Sequence, residues 1–245
     1  MERRAWYQGT NEWVFDFRPD SIDEMALYPA LRERLEFYVQ SGDFSHLLMH
    51  GGVGTGKTTA ARILGANHRF SFIEEDCAKD SSKRNVISVA SGTKMTIFGK
   101  RQIILLDEFH EIDEASQRVL NKVMEDRSVD NIFIFCANYM DRVADSICSR
   151  CFILNFDIGT IDPNTSSLKL HPYVNMSKEN WISELKRATN IAADKAGVII
   201  PDSTLDKVVG TETNLIEPRT FVRAAEEQFK MDDFNQASKL QEPSA

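Results

Sequence analysis

The chain has 245 residues, 42% hydrophobic and 27% charged, with a net charge of −8. That composition supports a sizeable core in one large domain, or a large one with a small companion. It excludes a globally basic nucleic-acid coat, though not a local basic strip. No apolar run approaches the roughly 18 residues a membrane span needs. The opening MERRAWYQGTNEW has no apolar stretch after its basic residues, which argues against a secretory signal. The cysteines, Cys77, Cys136, Cys148 and Cys151, do not frame a disulfide scaffold in so long a chain, so a reducing cytoplasm is the expected setting.

In chain order, FSHLLMH (44–50), RFSFIEE (69–75), RQIILLDE (101–108), NIFIFCAN (131–138) and CFILNF (151–156) are short, bounded runs, mostly apolar on both faces. Buried parallel strands read this way. Helix-compatible stretches separate them, which predicts a βαβ series around a central parallel sheet. The clearest helical period lies in EASQRVLNKVMED (114–126), through Ala115, Val119, Leu120, Val123 and Met124. Residues 157–176 carry prolines and serines without a period and read as a connector. Beyond it, helices are expected over 177–197, with Ser177 as N-cap and Gly197 as stop, over 202–210, and over 217–231, where Pro218 suits a first turn. The organisation predicted is a nucleotide-binding α/β domain over 1–158, a connector over 159–176, a small all-α lid over 177–232 and a polar, frayed tail over 233–245.

The first strand leads into MHGGVGTGKTTAA. Gly51-x-x-x-x-Gly56-Lys57-Thr58 is a complete P-loop, with Gly52, Val53, Gly54 and Thr55 between its ends and Thr59 following. Glycines let successive N–H groups turn toward a triphosphate. Lys57 brings positive charge to the β- and γ-phosphates, the Thr58 hydroxyl suits Mg²⁺, and the helix starting near residue 56 directs its positive end at the same anion. In IILLDEFH, Asp107 and Glu108 stand at a strand's C-terminal tip, where open α/β sheets bind ligands. Asp107 is placed to hold Mg²⁺, and Glu108 to polarise an attacking water. FIFCAN ends in Asn138, whose amide can orient that water or contact the γ-phosphate.

SICSRCF (146–152) places two cysteines around Arg150. A zinc site needs four ligands, and no second pair or histidine spacing supplies them. A redox pair would open a helix beside a thioredoxin-like unit, whereas this one ends a helix and begins a strand. An arginine finger directed at a γ-phosphate is the expected role.

The P-loop, LLDEFH, AN and SRC, in that order, resemble the AAA+ ATPases of the sliding-clamp-loader type, and most nearly the small subunit of replication factor C-like and T-even phage loaders. FDFRPDSIDE (15–24) is similar to that family's KYRP-x-x-x-DE start, and DEASQRVLNKVMED to its DAQ-x-x-L-R-R-x-M-E helix. The resemblance covers residues 12–156 well and the lid to about 231 more loosely.

It implies an ATPase, dependent on Mg²⁺, that acts with other loader subunits in a ring, pentameric in the family's manner, to load a sliding clamp onto primer–template DNA in replication. It also implies that Arg150 acts in trans on a neighbour's ATP and Arg219 in cis from the lid. Val14, Phe17 and Arg18 would border the adenine. Gln117 would couple DNA contact to the ATP site. Lys79, Lys83 and Arg84, on the helix after the second strand, would track DNA. The expected setting is the cytoplasm, or that of the host for a viral protein. Two departures stand out: Asn121 and Lys122 replace the family's paired arginines, and no collar domain is evident. The alternatives are another AAA+ machine, such as a helicase loader or nucleoprotein remodeller, and a scaffold subunit that binds ATP and barely hydrolyses it.

Overall fold

The computed structural model describes residues 18–66, 70–79, 101–127, 131–162, 164–165, 167–210, 215 and 217–239. Its strands are β1 (Leu47–His50), β2 (Phe70–Asp76), β3 (Arg101–Asp107), β4 (Asn131–Ala137), β5 (Phe152–Asn155), β6 (Gly159–Ile161) and β7 (Leu168–Leu170). Its helices are α1 (Pro29–Ser41), α2 (Lys57–Gly65), α3 (Glu114–Arg127), α4 (Asp145–Cys148), α5 (Lys178–Lys195), α6 (Asp202–Val209) and α7 (Pro218–Lys239). The chain divides into two compact units. One is Ala30–Asp157; the other joins the described residues of Met1–Pro29 to those of Ile158–Ala245. Residues 18–29 thus group with the C-terminal unit, not with the nucleotide-binding domain in which the sequence division placed them.

In the Ala30–Asp157 unit, β1 to β5 form the expected parallel sheet, in the order β2-β3-β4-β1-β5. All seven residues of β4 are buried, as its unbroken apolar run requires of a central strand. One face of the core packs Leu48, Ile104, Leu106, Phe133 and Phe135 against Leu120 and Met124 of α3, with Phe109, Ile112 and Ile147 closing the end. The order puts β4 between β3 and β1, so the tips carrying Asp107, Asn138 and the P-loop lie side by side.

Helix α2 ends against β2. A Cβ on Gly65 would lie 2.1 Å from Cδ2 of Phe72. Gly65→Ala gains at most about 1 kcal/mol of helix propensity against about 1–3 kcal/mol of overpacking. The expected result is net destabilisation, read as a lower urea midpoint by far-UV circular dichroism.

In the other unit, α5 begins where expected: the Ser177 hydroxyl accepts the Asn180 N–H (3.1 Å). Trp181 is buried, and its Nε1–H donates to the Leu215 carbonyl (2.7 Å). Lys195 pairs with Asp20 (3.0 Å) and Glu24 (2.6 Å), while Arg187 donates to the carbonyls of Asp23 and Met25. These contacts tie residues 20–25 to α5. Two expectations need correction. The connector holds an antiparallel pair, β6–β7, and α7 runs on to Lys239 through part of the segment read as a frayed tail. None of the described helices is long and apolar enough to cross a membrane.

Candidate active site

The P-loop follows β1 directly. Gly51, Gly54 and Gly56 have φ of 147°, 81° and 101°, backbone that a side chain would strain. Gly51 is also crowded, since a Cβ there would lie 3.0 Å from the Asp157 nitrogen. The Gly52 N–H donates to Asp157 Oδ1 (2.7 Å), and the Thr55 hydroxyl to the Gly52 carbonyl (2.9 Å). Val53 is exposed on the crown of the loop. Lys57 opens α2 and is buried; its Nζ donates to the carbonyls of Gly51 and Gly52 (2.6 Å each). Burial lowers the pKa of its ammonium, opposed by the carboxylates of Glu108, Asp157 and Asp107. A buried cation beside the N-terminus of α2 is a prepared anion site.

Thr58 and Asp107 meet, the hydroxyl donating to Oδ2 (2.9 Å) with Oδ1 at 3.1 Å. Burial raises the Asp107 pKa, and the Thr58 hydrogen bond counters it. A hydroxyl and a carboxylate in contact form a hard-oxygen donor set, which fits Mg²⁺. Thr59, one residue on, is half-buried in α2.

Glu108 caps β3 in a left-handed conformation (φ 52°, ψ 38°). Asn138, one residue beyond β4, donates from Nδ2 to Glu108 Oε2 (2.9 Å). The structure therefore brings together the P-loop, Thr58, Asp107, Glu108 and Asn138.

Arg150 lies at the end of α4 and is partly exposed. Its guanidinium pairs with Glu125 and donates to the Ser146 carbonyl (2.7 Å). Among the described residues, none of its hydrogen-bond partners belongs to the P-loop or the acidic tip.

Three positions at helical spacing on α3 hold the α4 region. Gln117 is buried, donating from Nε2 to the carbonyls of Ile112 (2.9 Å) and Arg142 (2.8 Å) and accepting the Ala144 N–H (2.7 Å). Asn121 donates to Ser146 Oγ, and Glu125 takes Arg150. Gln117 is therefore an internal strut whose amide is fully engaged within the chain. The helical period exposes this stripe, but its partners lie some 25 residues away and no local pattern names them.

Lys79 is exposed in a turn directly after β2, not on a helix, and pairs with Asp76 (3.2 Å). Lys83 and Arg84 lie outside the described residues, as do Val14 and Phe17. In the other unit, Arg18 accepts Lys195 Nζ at its carbonyl (3.4 Å), and Arg219 is exposed in the first turn of α7. Sequence reading missed Asp157, Glu125 and His110. The four cysteines are free thiols. Burial pushes the Cys151 thiol to about 12, which leaves it protonated and a poor nucleophile.

The model of the ATPase family associated with various cellular activities (AAA) matches residues 47–157. Replication factor C small subunit 1 of Pyrobaculum islandicum is 34% identical over 152 residues, 59% of this chain and 46% of the relative. The replication factor C small subunit of Aeropyrum pernix is 35% identical over 157 residues, 59% and 47% of the two chains. Replication factor C subunit 3 of Blastobotrys adeninivorans is 30% identical over 152 residues, 59% and 45%. The chain thus spans less than half the length of these relatives. Among solved structures, the RuvB Holliday junction branch migration motor of Thermotoga maritima superposes with a TM-score of 0.66 at 19% identity, covering 93% of this chain and 68% of that one. At that identity the likeness concerns the fold. The nucleotide-site architecture and these matches agree on one region: residues 47–157 match the AAA ATPase model, and some 150 residues of the chain are similar to replication factor C small subunits.

Proposed function

We propose that this chain is a subunit of an ATP-driven assembly that loads a sliding clamp onto primer–template DNA during replication. The observation that carries the proposal is the 30–35% identity to replication factor C small subunits in a chain with an intact P-loop, acidic tip and SRC arginine. The P-loop N–H groups and Lys57 bind the triphosphate. Thr58 and Asp107 hold Mg²⁺, which when bound offsets charge on the β- and γ-phosphates. Glu108 accepts a proton from the attacking water, and Asn138 keeps its carboxylate in place. Arg150 serves a neighbouring subunit's site, and Arg219 its own. Val14, Phe17 and Arg18 border the adenine, and Lys79, Lys83 and Arg84 follow the DNA backbone. Gln117 acts through the 142–144 turn that it holds, without touching a ligand. The partners are the clamp, primed DNA and further subunits in a ring, in the cytoplasm of a cell or of a virus's host.

The test is steady-state ATP hydrolysis over a range of protein concentrations, with and without primed DNA. Turnover per subunit is expected to rise with both. A rate flat in both would overturn the reading.

A further inference from the structure

Glu108 holds a left-handed backbone that a side chain adopts at an energetic cost, and such a conformation persists only where its surroundings over-determine it. Two residues supply that constraint. One is Asn138, through its side-chain amide. The other is His110, which is almost fully buried. His110 Nδ1 accepts the backbone N–H of Asn138 (3.3 Å). A ring nitrogen that accepts carries no proton, so in the neutral imidazole the proton sits on Nε2. Nε2 lies 3.5 Å from Glu108 Oε2 and 3.4 Å from Glu111 Oε1. Glu108, His110 and Asn138 therefore close a cycle: carboxylate to amide side chain, amide backbone to imidazole, imidazole to carboxylate. Tyr139 stands edge-on to the imidazole at 5.1 Å, and Arg142 lies over the Tyr139 ring, also at 5.1 Å, so the ring is held from outside as well.

We propose that His110 is a positioning residue for ATP hydrolysis: it ties the Glu108 carboxylate to the strand end that carries Asn138, so that the two groups keep one fixed relation. The proposal rests on the hydrolytic reading of Glu108. Two carboxylates on one side and a backbone N–H on the other match the donor and acceptor of the Nε2-protonated tautomer, which simple core filling would not require. A displacement of about 1 Å at a reacting group can cost roughly 10²-fold in rate, so the tie has a measurable consequence.

Partial isosteres separate the Nδ1 hydrogen bond from the Nε2 contact with the carboxylates. His110→Asn puts an acceptor where Nδ1 stands and removes the link to the carboxylates. His110→Gln puts an N–H donor near Nε2 and removes the acceptor. His110→Leu removes both and keeps the bulk. The full chain carrying each change is assayed for kcat and KM, with binding of a fluorescent ATP analogue and Glu108→Gln as a parallel control. His110→Leu is expected to lose roughly 10–100-fold in kcat with KM and analogue affinity unchanged, and Asn or Gln to restore part of the loss. A kcat within about twofold of wild type in His110→Leu, while Glu108→Gln abolishes turnover, would overturn this proposal alone. Unchanged turnover in Glu108→Gln would overturn the hydrolytic reading instead. The tautomer is read without turnover or substitution, by long-range ¹H–¹⁵N correlation on the unmodified chain. A proton on Nε2 is expected, and a proton on Nδ1 would overturn the tie.

Discussion

Glu108→Gln is expected to lower ATP turnover roughly 10²–10³-fold, within the range of general-base contributions, while nucleotide binding stays at or slightly above the wild-type level. The substitution keeps size and shape, and the new amide oxygen can still accept the Asn138 Nδ2–H that now reaches Glu108 Oε2 at 2.9 Å. What is lost is the ability to accept a proton from water as its oxygen attacks the γ-phosphorus and the bond to the β–γ bridging oxygen breaks. On the proposed reading, binding depends on other groups: the P-loop, and Lys57 at the start of α2. Glu108 is one of the carboxylates that counter the burial of Lys57, and neutralising it removes a negative charge from the neighbourhood of a polyanion. Single-turnover hydrolysis and an equilibrium titration with an ATP analogue separate the two effects. Hydrolysis within about twofold of wild type would remove Glu108 from the proton-accepting role.

The parts of the site legible in the sequence are those whose geometry is local. A strand followed by a glycine-rich turn and a helix fixes the P-loop within about a dozen residues, and an apolar run fixes which residues stand at a strand's tip. Asp107, Glu108 and Asn138 were readable for that reason. Asp157 was not: its partner Gly52 is 105 residues away, and a carboxylate after an apolar strand reads as an ordinary solvated end. His110 was hidden because a histidine beside two acidic residues has several uses, and its link to Asn138 spans 28 residues.

In the other unit, β6 and β7 have three residues each, too few for a period. The clue available there was Gly159, where a Cβ would lie 2.3 Å from the Lys169 carbonyl oxygen. An ion pair and a hydrogen bond between residues more than 160 apart bind 20–25 to α5, and no local pattern reports them. The reach of α7 was underestimated because its last turns are polar. Yet Asp232 is held by Thr204 (2.8 Å), Lys207 (2.5 Å) and Gln228 (2.9 Å), which anchors the helix as it enters that segment.

Arg150→Ala is expected to reduce turnover about 10³-fold or more, the contribution of an arginine finger, and to be rescued by a protein that is itself inactive. In its own chain the guanidinium is engaged by Glu125 and the Ser146 carbonyl, with 35% of the side chain exposed. An exposed ion pair of this kind contributes about 0–1 kcal/mol, whereas a 10³–10⁵-fold rate effect corresponds to about 4–7 kcal/mol of transition-state stabilisation. The pair with Glu125 is therefore strong enough to orient the side chain and too weak to keep it from a neighbour's phosphate. If the finger acts in trans, a competent site needs Glu108 from one subunit and Arg150 from the next. Neither Glu108→Gln nor Arg150→Ala alone supplies both, but a mixed head-to-tail assembly does. Random pairing in an equimolar mixture makes about a quarter of the sites complete, so the mixture is expected to recover about that share of wild-type turnover at concentrations where subunits associate. A mixture no more active than either parent, under conditions where the wild-type chain hydrolyses ATP, would rule out the trans role. Loss of turnover in Arg150→Ala without rescue would then mean that the arginine serves the site of its own chain.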